Sequence, residues 1–123
     1  MYISIDFNSD EAIYVQICNQ IIMQIASKEI NEGDNLPSVR EMADTIGINM
    51  HTVNKAYSVL RQQGYLTLDR RKGAIISLSP DKYKAMIELK NTLQILMAQA
   101  VCKDIAREEV HELIDIIYDE WNK

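Results

Sequence analysis

The sequence predicts a mainly α-helical protein with one small β-hairpin, and three observations support this fold class. Apolar residues recur every three to four positions in several segments, as in amphipathic helices. Ser38 and Glu41 have the spacing of a capping box, which marks the start of a helix. Two β-prone runs flank the basic segment 69–73, which predicts a hairpin with a basic tip.

The first helix is expected from about Ala12 to Lys28. An alternating stretch over residues 2–7 precedes it and predicts a short strand or extended arm. Ser9 and Asp10 then offer side-chain oxygens that can cap the helix. The apolar stripe of this helix repeats every four residues, and its members are Ile13, Ile17, Ile21 and Ile25.

Two short helices follow, joined by only three residues. The second begins after Pro37 and is expected to close at Gly47, which can adopt a left-handed conformation. Asn49 can cap the third, which continues to a stop at Gly64. Both repeat apolar residues at i, i+3, i+4 and i+7: Val39, Met42, Ala43 and Ile46, then Val53, Ala56, Tyr57 and Leu60.

Residues 65–68 and 74–78 are the predicted hairpin strands, with Gly73 supplying the turn. Three helices followed by such a hairpin form a winged helix-turn-helix. Beyond Pro80, residues 81–102 and 104–121 are expected to be helical. The sequence therefore predicts a winged helix-turn-helix domain over residues 1–79 and a two-helix dimerisation tail over residues 80–123.

The expected tail helices have apolar faces too wide to be buried on one another, so another surface must cover the remainder. A symmetric homodimer supplies that surface and would read a palindromic site with half-sites about 10 bp, or a multiple of that, apart. The expected dimerisation residues are Leu89, Leu93, Leu96, Met97, Leu113, Ile117 and Trp121.

The outward face of the third helix has the polar and cationic residues expected of a helix that enters a DNA major groove. Helix starts and basic residues around that groove would meet phosphates. The expected DNA-binding residues are Met50, His51, Asn54 and Lys55 on the face, Ser38, Arg40, Asn49 and Thr52 at the helix starts, and Arg70, Arg71 and Lys72 at the wing tip.

The net charge of −5 at first argues against a polyanionic partner. Its distribution reverses that inference, because residues 1–35 sum to −5, residues 36–79 to +3 and residues 80–123 to −3. The positive segment contains the proposed reading helix and wing. Since the Debye length is roughly 8 Å at physiological salt, distant acidic groups barely weaken its local field.

Several motifs closely resemble the GntR family of bacterial transcription regulators. They are the segments 37–43, 47–49 and 52–57, together with Leu60 and the segment 64–66, and the resemblance extends upstream to residues 13–17. The short two-helix tail resembles the YtrA-like subfamily, which lacks a large effector-binding domain. The resemblance implies a transcription regulator that contacts operator DNA through Arg40, Asn49, His51, Thr52 and Gly73. Our hypothesis is that it acts as a repressor.

The chain departs from the family pattern at two places. Many relatives have Ser-Arg where this chain has Asn49 and Met50, so one cationic contact is missing. The family wing reads Gly-x-Gly-Thr, whereas this wing reads Arg71-Lys72-Gly73-Ala74 and gains charge. The first departure predicts that this chain reads different operator bases, and the second predicts a less flexible wing tip that lacks a hydroxyl.

Other interpretations remain for single residues and for the whole chain. Arg40 could form an ion pair with Glu41 or Asp44, and the wing cations could serve only solubility. The chain as a whole could instead be a winged-helix module that binds another protein and no DNA. An effector ligand, the target genes and the sign of regulation are not readable from the sequence.

Catalysis and metal binding are poorly supported. The histidines lie far apart in sequence, and the acidic residues around His111 are typical of a solvated helix face. Cys18 and Cys102 lie in apolar stretches and are expected to be buried, reduced thiols. We expect a cytoplasmic protein without a cofactor, because no secretion signal or long apolar run is present.

Overall fold

The computed structural model describes residues 1–122, which contain five helices and one two-stranded antiparallel hairpin. The chain divides into two compact units, Met1–Ser79 and a second that begins at Pro80. The elements in chain order are α1 (Ile13–Ala26), α2 (Val39–Ile46), α3 (Met50–Gln62), β1 (Leu66–Asp69), β2 (Gly73–Ile76), α4 (Lys82–Cys102) and α5 (Arg107–Trp121). The first unit is a winged helix-turn-helix, which confirms the fold class predicted from the sequence.

The core of the first unit lies between α1, α3 and the hairpin. Ile17 and Ile21 of α1, Leu60 of α3 and Ile76 of β2 are completely buried. Burial of each such aliphatic side chain contributes roughly 1.5–3 kcal/mol. Helices α1 and α2 both pack on α3, so the core residues of α3 determine which of its faces remains exposed.

The start of α1 differs from the prediction. Neither Ser9 nor Asp10 caps the helix, which has Ala12 at the N-cap position and no side-chain cap. The hydroxyl of Ser9 instead accepts the N–H of Glu11 in a local turn at 3.0 Å. Gln16 also donates to the carbonyls of Asp6 and Glu11, which holds this segment outside the helix. The helix begins at Ile13 and ends at Ala26, shortly before Lys28 adopts a left-handed conformation with φ of 66°, so it is shorter than expected.

The extended arm at residues 2–6 is attached to α1 by three glutamines spaced four residues apart. Four helical residues rise about 6 Å and two strand residues advance about 6.6 Å, so successive glutamines meet alternate residues of the arm. The two buried or half-buried isoleucines of the arm thereby face the core. The pairs are Gln16 with Asp6, Gln20 with Ser4, and Gln24 with Tyr2.

Ser38 and Asn49 cap the two helices as the sequence predicted, but the second bond of the capping box, from the Ser38 N–H to the Glu41 carboxylate, is not formed within residues 1–122. The hydroxyl of Ser38 accepts the N–H of Glu41 at 3.1 Å, and Gly47 closes α2 in a left-handed conformation with φ of 70°. The side chain of Asn49 accepts the N–H of His51 at 2.7 Å and starts α3. Only residues 47–49 separate the two helices.

The hairpin is slightly shorter than predicted and is joined on its free side by part of the loop that precedes α2. The pairing of β1 with β2 runs from Leu66 opposite Ile76 to Asp69 opposite Gly73. On the other edge of β2, Gly33 donates to Ile76, Ile76 donates to Asp34, and Leu36 donates to Ala74. The wing is therefore connected by backbone hydrogen bonds to the segment that leads into α2.

The second unit has no buried residue in either of its helices among those described. Helix α5 begins at Arg107 instead of residue 104, because Asp104 adopts a left-handed conformation with φ of 62°. Cys18 is buried as expected, but Cys102 is exposed because the end of α4 packs against nothing in this unit that covers it. No helix within residues 1–122 is both long and apolar enough to cross a membrane.

Candidate nucleic-acid interface

Helix α3 buries one face and exposes the opposite one. Val53, Ala56 and Leu60 are fully buried in the core. The exposed residues of α3 are Met50, His51, Asn54, Lys55, Ser58, Arg61 and Gln62, whereas Thr52 is half-buried. The side chains that remain exposed are mostly hydrogen-bonding or cationic, which are the groups that read base edges and bind phosphates.

Lys55 is held in place by an aromatic ring of α1. Its ammonium nitrogen lies 4.1 Å from the centroid of the Tyr14 ring, within the range of a cation–π interaction. Tyr14 is half-buried and packs against the core, so the ring is a fixed platform. The contact orders the lysine side chain on the exposed side of α3.

A hydrogen bond from α3 fixes the segment that leads into the first turn of α2. The phenol of Tyr57 donates a 2.7 Å hydrogen bond to the carbonyl of Pro37, the residue before the Ser38 cap. Burial, and secondarily the negative charge of Glu41, raise the pKa of Tyr57 well above its ordinary value. The phenol therefore remains protonated and able to donate. Arg40 consequently lies in a first turn that is fixed by the Tyr57 bond to Pro37 and by the Ser38 cap.

The wing tip is an ordered turn formed by charged residues. The carboxylate of Asp69 accepts the N–H of Arg71 at 2.7 Å and that of Lys72 at 3.1 Å. These two bonds, with the nearby charge of Lys72, hold the pKa of Asp69 below its ordinary value. Gly73 has φ of 81°, a conformation that suits glycine, and lets the turn enter β2. Arg70, Arg71 and Lys72 are exposed on this turn.

The residues proposed for DNA contact thus fall on three surfaces of one unit: the outer face of α3, the first turn of α2 and the wing tip. Asn49 and Ser38 are occupied as caps through their side chains, and the remaining proposed residues are exposed or half-buried. Sequence reasoning assigned Tyr57 to the core, where it lies, but missed its bond to Pro37. It also missed the contact of Tyr14 with Lys55, because the two residues are far apart in sequence.

The described part of the chain offers no group of three or more His, Cys, Asp or Glu side chains that could hold a metal ion. The buried thiol of Cys18 donates to the carbonyl of Ala56 at 3.4 Å, and burial raises its pKa. A buried thiol with a raised pKa is a poor nucleophile. The functional groups of this unit are therefore those on the surface of α2, α3 and the wing.

A capped helix-turn-helix with an exposed polar helix and a basic wing defines the class of winged helix-turn-helix DNA-binding regulators. The chain belongs to the GntR family of bacterial regulatory proteins, whose family model matches residues 13–76. Members of this family are bacterial regulatory proteins.

Relatives of similar length extend the likeness to the tail. The chain is 35% identical over 115 residues to the HTH-type transcriptional repressor YtrA of Bacillus subtilis, covering 91% of this chain and 88% of that protein. Its fold is similar to that of a transcriptional antiterminator from Listeria monocytogenes EGD-e, with a TM-score of 0.84 and 32% identity over 100% of this chain and 90% of that one. YtrA from Sulfolobus acidocaldarius, a GntR-family transcription factor, gives a TM-score of 0.68 and 36% identity over 81% and 97% of the two chains.

Proposed function

We propose that this protein is a cytoplasmic repressor that binds a palindromic operator in double-stranded DNA as a homodimer. Residues 1–79 bind the DNA, and residues 80–123, of which Lys123 lies outside the described residues, form the dimer. Helix α3 enters the major groove, while the start of α2 and the wing contact the backbone. No cofactor or catalytic step is part of this function.

The exposed face of α3 is the observation that carries the proposal. His51, Asn54 and Lys55 are exposed on α3, away from the buried Val53 and Leu60. The ammonium of Lys55 is ordered there by the Tyr14 ring. An α-helix fits the major groove of B-DNA, where amide and cationic side chains distinguish the base pairs. The residues expected to contact DNA are Ser38, Arg40, Asn49, Met50, His51, Thr52, Asn54, Lys55, Arg70, Arg71, Lys72 and Gly73.

The exposed apolar side chains of the second unit support the homodimer. Leu89 is 53% exposed, Leu96 is 49% exposed and Leu113 is 56% exposed, and neither α4 nor α5 buries a residue. A pair of helices without a core is not stable alone in water, since most helix stability comes from packing of the apolar face. A second copy supplies the missing layer, with contacts from Leu89, Leu93, Leu96, Met97, Leu113, Ile117 and Trp121.

Repression, as opposed to activation, is supported by a similar protein that is a repressor. The Bacillus subtilis YtrA, similar over most of both chains, is a transcriptional repressor. A dimer bound across a promoter acts by excluding other proteins, and this chain needs only its DNA-binding unit and its tail for that. The proposal therefore requires no additional domain.

Selection of bound sequences from random duplex DNA tests the whole proposal in one experiment. We expect an enriched site with two inverted half-sites about 10 bp, or a multiple of that, apart. Binding of the selected site should weaken steeply with salt, since phosphate contacts release counterions. Enrichment of a single asymmetric half-site would contradict the dimer, and failure to enrich any sequence would favour a winged-helix module that binds another protein.

A further inference from the structure

The wing tip and the start of α2 are separated by open space. A cavity of about 510 Å³ lies between them, lined by Asn35, Ser38, Glu41, Lys72 and Gly73 among others. Across this opening, the loop before α2 is connected to the wing by hydrogen bonds.

Asn35 makes the hydrogen bond that reaches furthest along the wing. The backbone of Asn35 is paired with Ile75, and the next residue, Leu36, donates to Ala74 at 2.9 Å. Beyond that point, the side-chain amide of Asn35 donates to the carbonyl of Lys72. The peptide groups on both sides of Lys72 are thus held, its N–H by Asp69 and its carbonyl by Asn35.

The same segment leads directly into the helix-turn-helix. Leu36 is buried, the carbonyl of Pro37 accepts from Tyr57, and Ser38 caps α2. Asn35 consequently lies at one end of a fixed segment whose other end is the first turn of α2.

We propose that Asn35 is a positioning residue for DNA binding: its side-chain amide sets the wing tip at the distance from α2 at which Lys72 and Arg40 contact one duplex together. The inference rests on the proposed function. Asn35 itself needs no contact with DNA. Its effect on binding is transmitted through the wing cations and disappears when they are neutralised.

The test combines Asn35→Ala with Asn31→Ala as a matched control. Asn31 is an exposed asparagine of the same loop. Within the described residues, its side chain makes no hydrogen bond to the wing. Each substitution is made in the unaltered chain and in a chain with Arg70→Gln, Arg71→Gln and Lys72→Gln. Affinity for the selected operator is measured by fluorescence anisotropy at several salt concentrations, and thermal unfolding checks the fold.

We expect Asn35→Ala to weaken binding about threefold to tenfold, as for removal of one hydrogen bond, with a lower salt dependence. Asn31→Ala should leave the affinity and its salt dependence unchanged. In the chain with Arg70→Gln, Arg71→Gln and Lys72→Gln, Asn35→Ala should have no effect on binding. An equal weakening in both backgrounds, or no weakening in either, overturns the assignment of Asn35. If the unaltered chain binds no selected DNA, the proposed function fails instead.

A measurement without DNA distinguishes failure of the Asn35 assignment from failure of the proposed DNA binding. Backbone ¹⁵N relaxation of the free protein reports picosecond to nanosecond motion at residues 70–73. We expect lower order parameters there in Asn35→Ala than in Asn31→Ala. Identical order parameters in the two variants would overturn the positioning role whatever the protein binds.

Discussion

The phenol of Tyr57 and the carbonyl of Pro37 are joined by a 2.7 Å hydrogen bond that connects α3 to the start of α2. The two residues are 20 positions apart, and the bond lies partly buried beneath the Ser38 cap. A buried carbonyl that loses its donor retains the cost of its desolvation. The bond therefore stabilises the angle between the two helices as well as the core around Tyr57.

Replacement of Tyr57 by phenylalanine is expected to lower the free energy of unfolding by about 1 kcal/mol, because the ring is kept and only the hydrogen bond is removed. A decrease of this size shifts Tm by roughly 4–8 °C in a small domain. Urea and thermal unfolding measure it, with Tyr2→Phe as the control because Tyr2 is 79% exposed. Equal stability of both variants would show that the bond contributes nothing.

The raised pKa of Tyr57 predicts a decrease of stability in alkali. In the unfolded chain the phenol of Tyr57 ionises at about pH 10, whereas in the folded chain it remains protonated to higher pH. The folded state then holds the extra proton, so the stability present below about pH 10 falls as the pH rises further. Urea unfolding across this range should show a smaller fall for Tyr57→Phe than for the unaltered chain. The same fall in both would contradict the role of Tyr57.

Substitution of Arg40 by alanine is expected to weaken operator binding by about 1–3 kcal/mol if the guanidinium makes a charge-assisted contact. Lys28→Ala is the control, since it removes one exposed cation from the acidic segment 1–35. Anisotropy titrations of both folded variants decide between DNA contact and an ion pair with Glu41 or Asp44. Unchanged affinity in Arg40→Ala would remove the residue from the interface.

Neutralisation of Arg70, Arg71 and Lys72 together should reduce the slope of log affinity against log salt by about one for each phosphate that the wing no longer neutralises. The control variant carries Lys82→Gln, Lys84→Gln and Lys90→Gln, which remove the same charge from exposed positions of α4. An unaltered slope in the wing variant, or an equal reduction in the control, would contradict phosphate binding by the wing.

The apolar face of α4 predicts that Leu93→Glu disrupts the dimer, because a carboxylate would be buried at the interface without a partner. Asn91→Glu places the same group at an exposed polar position of the same helix and should leave assembly unchanged. Sedimentation equilibrium measures the mass against the 14.1 kDa of one chain. A monomeric unaltered chain, or a dimer that tolerates Leu93→Glu, would contradict the proposed use of this face.

The features predicted correctly from the sequence are those that depend on neighbouring residues. The Ser38 and Asn49 caps and the closing conformation of Gly47 each involve groups within a few positions, so local spacing is sufficient. The cap predicted at Ser9 or Asp10 was wrong, because Ala12 occupies the N-cap position and the Ser9 hydroxyl accepts from Glu11 in a local turn. The contact of Tyr14 with Lys55 could not be predicted, since it forms only when α1 packs on α3.

The exposure of Cys102 has a related cause. An apolar sequence neighbourhood predicts burial only if something covers the helix, and the described residues of the second unit contain no core. The identity of the DNA-contact residues remains a prediction. Their exposure in the structure permits that role, and binding measurements decide it.

The attachment of the arm to α1 has a consequence for hydrogen exchange. The amides of Ser4 and Asp6 are bonded at 2.9 Å to side-chain oxygens of Gln20 and Gln16 instead of to another strand. A change of glutamine rotamer exposes these amides to solvent, and no helix or strand has to open. Their protection should therefore be interrupted by local opening of the arm, without global unfolding of the domain.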